Sequence, residues 1–147
     1  MLKQEMIDKI LSLKKNIISE TEQLLKLSAV NDDTDTDSVR DPEDYSHQDE
    51  QREMVRNYES QINTTEFELD LFRKIDFSPK KTVQEGAFVN TNRMKFLIGI
   101  ATKGFELNGA DCIGISTTAP AFKIMEGMKK GDSFSLAEVT YTILDIQ

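Results

Sequence analysis

From residue 2 to residue 28 the chain contains no Gly or Pro, and Met6, Ile10, Leu13, Ile17, Leu24 and Leu27 recur at steps of three and four, with Glu20 on the same stripe. That spacing predicts a long helix with a heptad seam. The repeat resumes as Val55, Tyr58, Ile62, Thr65, Leu69 and Phe72, again without Gly or Pro. A second long helix is expected there. Each stripe is too narrow to stabilise a helix alone, so the pattern predicts an antiparallel coiled-coil hairpin whose stripes zip together. Arms of about 27 residues reach roughly 40 Å at about 1.5 Å per residue.

Around Asp76, Phe77, Ser78 and Pro79 the pattern changes, and all seven glycines lie between Gly86 and Gly131. Residues Ala87–Asn90, Met94–Ile100, Cys112–Ser116 and Val139–Ile146 read as strands. Ala121–Met128 reads as a short helix opened by Pro120 and closed at Gly127 or Gly131. The expected fold is α+β, with a hairpin over 1–77 and a strand-rich domain over 78–147.

Charge then singles out one place. The chain of 147 residues carries 26 acids and 18 bases, a net of −8. Residues 31–50 hold nine of the acids (Asp32, Asp33, Asp35, Asp37, Asp41, Glu43, Asp44, Asp49 and Glu50) and only one base, Arg40. Nine less one equals the whole net charge, and the other residues balance at 17 of each sign. The acids are therefore expected at the tip of the hairpin. Such a balance leaves no basic stripe for phosphates, so direct DNA binding is not expected. Lys123, Lys129 and Lys130 form a small basic cluster, read as solvated surface.

The length excludes a large multidomain enzyme. No apolar run is long enough to span a membrane, and the N-terminus is not built like a signal peptide, so a cytoplasmic protein is expected. The single cysteine, Cys112, sits in an apolar run and reads as buried and inert. A hairpin that satisfies its own seam need not dimerise, so a monomer is expected.

Asp33, Asp35, Asp37 and Asp44 match part of a calcium-loop spacing, but the Gly expected at the sixth position is Ser38 and the bidentate Glu at the twelfth is Asp44. Asp41, Glu43 and Asp44 are hard oxygen donors suited to a magnesium ion whose remaining ligands come from another molecule. His47 is the only histidine and has no nucleophile beside it in the sequence. No catalytic triad is supported, and the protein is not expected to be an enzyme by itself.

The most specific pattern is C-terminal: Ala119-Pro120, Ile124-Met125, Gly127, Gly131-Asp132 and a closing strand Tyr141–Ile146. It resembles the C-terminal domain of the bacterial Gre-type (GreA/GreB-like) transcript-cleavage factors, with Ala119 where that family has Ser and Glu126 inserted before the glycine. Domain order is similar too, so the resemblance extends over nearly the whole chain. At the tip, Asp41 and Asp44 keep the family's spacing of paired acids, followed by Tyr45, while the family's Asn is missing and Pro42 and Glu43 are additions.

The resemblance implies an FKBP-like second domain and a transcription elongation factor whose hairpin enters the secondary channel of RNA polymerase. There Asp41 and Asp44, with Glu43 beside them, would share a magnesium ion with the polymerase and assist hydrolysis of backtracked RNA. Contact with the nascent RNA would be indirect. Some relatives instead block the channel and inhibit transcription. A peptidyl-prolyl isomerase is a further reading of an FKBP-like domain, and would need an aromatic-lined pocket drawn from Phe88, Phe96, Phe105, Phe122, Phe134 and Tyr141.

Overall fold

The computed structural model describes residues 2–32 and 42–147, with side chains for 2–28 and 50–147. Two helices come first, α1 (Leu2–Asp32) and α2 (Pro42–Arg73). Then follow β1 (Phe88–Thr91), β2 (Lys95–Ile98), β3 (Phe105–Leu107), β4 (Ala110–Ile115), α3 (Pro120–Met125), β5 (Ser133–Leu136) and β6 (Val139–Ile146). The class is α+β, a long helix pair followed by a six-stranded sheet. The chain divides into two compact units, one of Met1–Leu11 with Asp70–Gln147 and the other of Ser12–Leu69.

In the strand-rich unit the sheet order is β3-β4-β2-β1-β6-β5. β2 and β4 run parallel, and the other neighbours run antiparallel. Successive side chains point to opposite faces, and both faces are covered. Val89, Phe96 and Ile98 join a core with Phe122 and Met125 of α3, whereas Phe88, Leu97 and Cys112 join a second core with Met6, Ile7 and Ile10 of α1 and Phe72 of α2. Burial on both sides accounts for the unbroken apolar run Phe96-Leu97-Ile98, which has no polar alternation. The roots of both long helices are thus part of this unit's core.

The strand at Val139–Ile146 is found as expected, and the other predicted strands differ at their ends by one or two residues. Two strands were not expected. β3 turns into β4 through Asn108 and Gly109, both at positive φ (52° and 80°). This is the Asn-Gly pairing that a tight hairpin favours. β5 turns into β6 through Ala137 and Glu138, also both at positive φ (50° and 67°), with neither residue suited to it. α3 starts at Pro120, after an extended Ala119 with no side-chain cap, and ends before Gly127, whose φ of 78° reverses the chain.

Asp76 and Gly86 fix the segment that leaves α2. The Asp76 carboxylate accepts from the Ser78 amide at 2.9 Å and from Lys80 Nζ at 3.1 Å. The Ser78 amide, followed by the Ser78 side chain and Lys80, holds that carboxyl well below the usual 3.8, at about 2. Lys3 Nζ donates to the Ser78 carbonyl at 3.2 Å, and burial lowers its pKa. A Cβ on Gly86, whose φ is +86°, would stand 2.1 Å from the Asp76 carbonyl oxygen, so the backbones meet there with no room for a side chain.

In the helical unit α1 and α2 run antiparallel, with Lys14 Nζ on Glu68 Oε2 at 3.0 Å. The α2 stripe is as predicted: Thr65 and Leu69 are buried, and Val55, Tyr58 and Ile62 are half-buried. The α1 stripe is corrected. Met6 and Ile10 are buried and Leu13 and Ile17 half-buried as expected, with Ile7 and Lys14 joining them, but beyond Ile17 the stripe runs through Thr21, Leu25 and Ser28, while Glu20, Leu24 and Leu27 are exposed. Steps of three and four from Ile17 can be continued on either side, and there the apolar choice, Leu24 and Leu27, was the wrong one. Polar residues fit the seam because their groups are satisfied: Thr21 Oγ1 donates to the Ile17 carbonyl at 2.7 Å, Thr65 Oγ1 to that of Gln61 at 2.8 Å, and Lys14 meets Glu68.

Candidate functional site

The acidic segment is bracketed by the two long helices. α1 ends at Asp32 and α2 begins at Pro42, well ahead of Val55 where its apolar repeat starts. Proline suits a first helical position because its ring presets φ and the missing N–H has no intrahelical partner there. Glu43, Asp44 and Tyr45 fall in the first turn of α2, where the unpaired backbone N–H groups favour negative charge. Of the predicted site residues, Asp41 lies outside the described residues, and Glu43 and Asp44 are placed by backbone alone. The partial calcium spacing through Asp33, Asp35 and Asp37 also lies outside them, and so does the His47 side chain.

Charge separates the two units. Ser12–Leu69 contains 15 acids and 6 bases, a net of −9, and the strand-rich unit contains 11 acids and 12 bases, a net of +1. These sums recover the total of −8. Nearly balanced charge in one unit and concentrated acid in the other puts the electrostatic potential on the helix pair.

The strand-rich unit offers little chemistry. Phe96, Phe134 and Tyr141 pack together, with ring centroids 5.4 to 6.1 Å apart. Phe96 and Phe134 are only 2% and 5% exposed, so these rings fill the interior, and Phe88 belongs to the other core. Cys112 is buried as expected, and desolvation pushes its thiol pKa up, away from a nucleophilic thiolate. Lys123, Lys129 and Lys130 are all exposed. Among the described residues no group of three or more His, Cys, Asp or Glu is placed to hold a metal, and no helix is long and apolar enough to cross a membrane.

No protein-family model and no curated protein sequence matches the chain. Among solved structures it is similar to GreA factor homolog 1 of Thermus thermophilus, at 13% sequence identity and a TM-score of 0.36, over 97% of this chain and 93% of that one. The fold described above stands on its own strand pairings and burial.

Sequence reasoning missed the Lys14–Glu68 pair across the helices, because an apolar stripe was sought.

Proposed function

We propose that the chain is a transcription elongation factor that binds RNA polymerase and presents the acidic segment, through the helix pair, to the polymerase active site. The observation that supports this best is the bracketing of the acids by helices of 31 and 32 residues, in a unit of net −9 beside a unit of net +1. An acidic end on two long helices suits entry into a deep channel lined for cations. It does not suit binding to nucleic acid, whose phosphates it would repel.

In this reading Asp41 and Asp44 are the working carboxylates, with Glu43 beside them. All three are hard oxygen donors, the chemistry that magnesium takes from a protein when other ligands complete its shell. Magnesium bound there would stabilise the attacking and leaving oxygens of a phosphodiester hydrolysis. The carboxylates of this chain would hold and orient the attacking water, and the polymerase would supply the remainder of the site. The chain thus assists an activity belonging to its partner.

The number of acids favours a second reading in detail, a factor that occupies the same channel and slows transcription without promoting cleavage. Adding the protein to a stalled, backtracked elongation complex separates the two. Shortening of the RNA 3′ end identifies a cleavage factor, and slowed elongation without shortening identifies an inhibitor. No effect of either kind, with no complex formed, rejects both.

A further inference from the structure

The six-stranded sheet ends in two different edges, β3 and β5. β3 is three residues long and carries an exposed charge, Glu106, and a short, charged edge resists pairing with another chain. β5 reads Ser133-Phe134-Ser135-Leu136, with no charge, no proline and no break in its register with β6. Its turn into β6 is the pair Ala137 and Glu138, so Leu136–Val139 and Phe134–Tyr141 are the hydrogen-bonded pairs of the hairpin. The Ile143 amide keeps that alternation by donating to the Asp132 carbonyl at 2.9 Å. Ser133 and Ser135 lie between these pairs, and their amides and carbonyls point away from β6. Their hydroxyls do not turn back to cap these groups, because each meets a threonine of β6, Thr142 at 3.1 Å and Thr140 at 3.2 Å. Among the described residues, none of those amides and carbonyls has a hydrogen-bond partner.

We infer that the outer edge of β5 pairs with the same edge of a second copy of this chain, antiparallel about a two-fold axis at Phe134. Ser133 of each copy then faces Ser135 of the other, and every outward amide meets an outward carbonyl. Charge selects this occupant and this direction. The chain just before β5 carries Lys129, Lys130 and Asp132, with the Asp132 carboxylate turned onto the Lys129 amide at 2.9 Å, and the turn just after it carries Glu138. Antiparallel pairing sets Lys130 of one copy toward Glu138 of the other at both ends, whereas a parallel pairing would set like charges together. Both side chains are exposed, and neither is in an ion pair among the described residues. The unit that carries β5 has a net charge of +1, so two copies of it do not repel as two units of net −9 would. The seam of the helix pair gives no reason to dimerise, and the sheet edge supplies one. A pairing this short buries well under the roughly 1,200 Å² of a stable interface, so the association is weak, with a Kd of about 0.1 to 1 mM.

The test is sedimentation equilibrium of the full chain from about 10 μM to about 1 mM in about 0.15 M salt, where exposed charges are screened beyond about 8 Å. The weight-average mass should rise with concentration from one chain toward two. Ser135→Pro removes an outward amide that β6 does not use, and should hold the mass at one chain. Glu138→Lys should weaken association about fivefold or more. Lys130→Glu/Glu138→Lys restores opposite signs across the two-fold axis and should return it to within about twofold of the wild type. A wild-type mass that stays at one chain up to about 1 mM refutes the inference. So does association that a Ser135→Pro variant with native circular dichroism leaves unchanged or, where that variant does not fold, that Glu138→Lys leaves unchanged.

Discussion

The two units of this protein are held together in opposite ways. The strand-rich unit buries apolar side chains on both faces of its sheet, among them Phe88, Leu97, Ile98 and Met125, each no more than 1% exposed. The helical unit has one narrow seam, and that seam includes Lys14, Thr21 and Thr65. Apolar burial is the main source of folding free energy, so the first unit should be the more stable. The charge lies on the second. Acids crowded into a weakly packed helix pair repel one another, and a presented acidic surface accepts that cost where a core would not.

Core truncation should expose the contrast most strongly. Phe88→Ala is expected to destabilise the protein by about 4 kcal/mol, whereas Leu27→Ala, on an exposed side chain, should change stability by less than about 0.5 kcal/mol. Urea unfolding of both variants measures this, and similar losses would erase the distinction between the units.

The next largest effect is expected at Gly86. An alanine there meets the Asp76 carbonyl in a backbone conformation that L side chains rarely adopt, so Gly86→Ala should cost about 2 to 3 kcal/mol. An unchanged unfolding midpoint would show that the segment leaving α2 is not clamped as described.

A gain is expected in the β5–β6 turn. Ala137 and Glu138 both hold a left-handed backbone, so Ala137→Asn/Glu138→Gly should raise stability by about 1 kcal/mol, read as a higher thermal midpoint. In the helical unit, Lys14→Ala removes a partly buried pair at the edge of the seam and should cost only about 1 kcal/mol, partly screened by salt.

The smallest effect is a dependence on pH. The Asp76 carboxyl is held near 2 in the folded protein and lies at the usual 3.8 when free. The unfolded chain therefore binds the proton first on acidification. The stability due to Asp76 is fully present above 3.8 and is lost as pH falls toward about 2. Asp76→Asn should flatten that part of the acid unfolding curve, and parallel curves for the two proteins would show that Asp76 does not contribute.

Legibility in the sequence followed the same division. α2 was readable because its seam is apolar from Val55 to Phe72, apart from Thr65, and Gly and Pro are absent. α1 was readable as a helix, and in its face as far as Ile17 but not beyond, because the seam there accepts Thr21 and Ser28, as it does Lys14, once their polar groups find partners. The central strands were readable from their apolar runs. β3 is three residues long and was passed over although Asn108-Gly109 marks its hairpin, and β5 turns through Ala137-Glu138, which carries no turn signal at all. The two-sided burial of the sheet was not legible, since it depends on Met6, Ile7, Ile10 and Phe72 coming from far along the chain. At the candidate site the sequence revealed the concentration of acid, and the structure adds the helix that begins at Pro42 and carries Glu43 and Asp44 in its first turn.

The central claim is that the acids between the helices act in the polymerase active site, and one comparison tests it most directly. RNA 3′-end shortening in a backtracked elongation complex with magnesium is measured for the wild type and for Asp41→Asn/Asp44→Asn, with polymerase binding measured alongside. The account predicts shortening by the wild type and its loss in the variant at undiminished binding. Shortening that persists at the wild-type rate in the variant would contradict it.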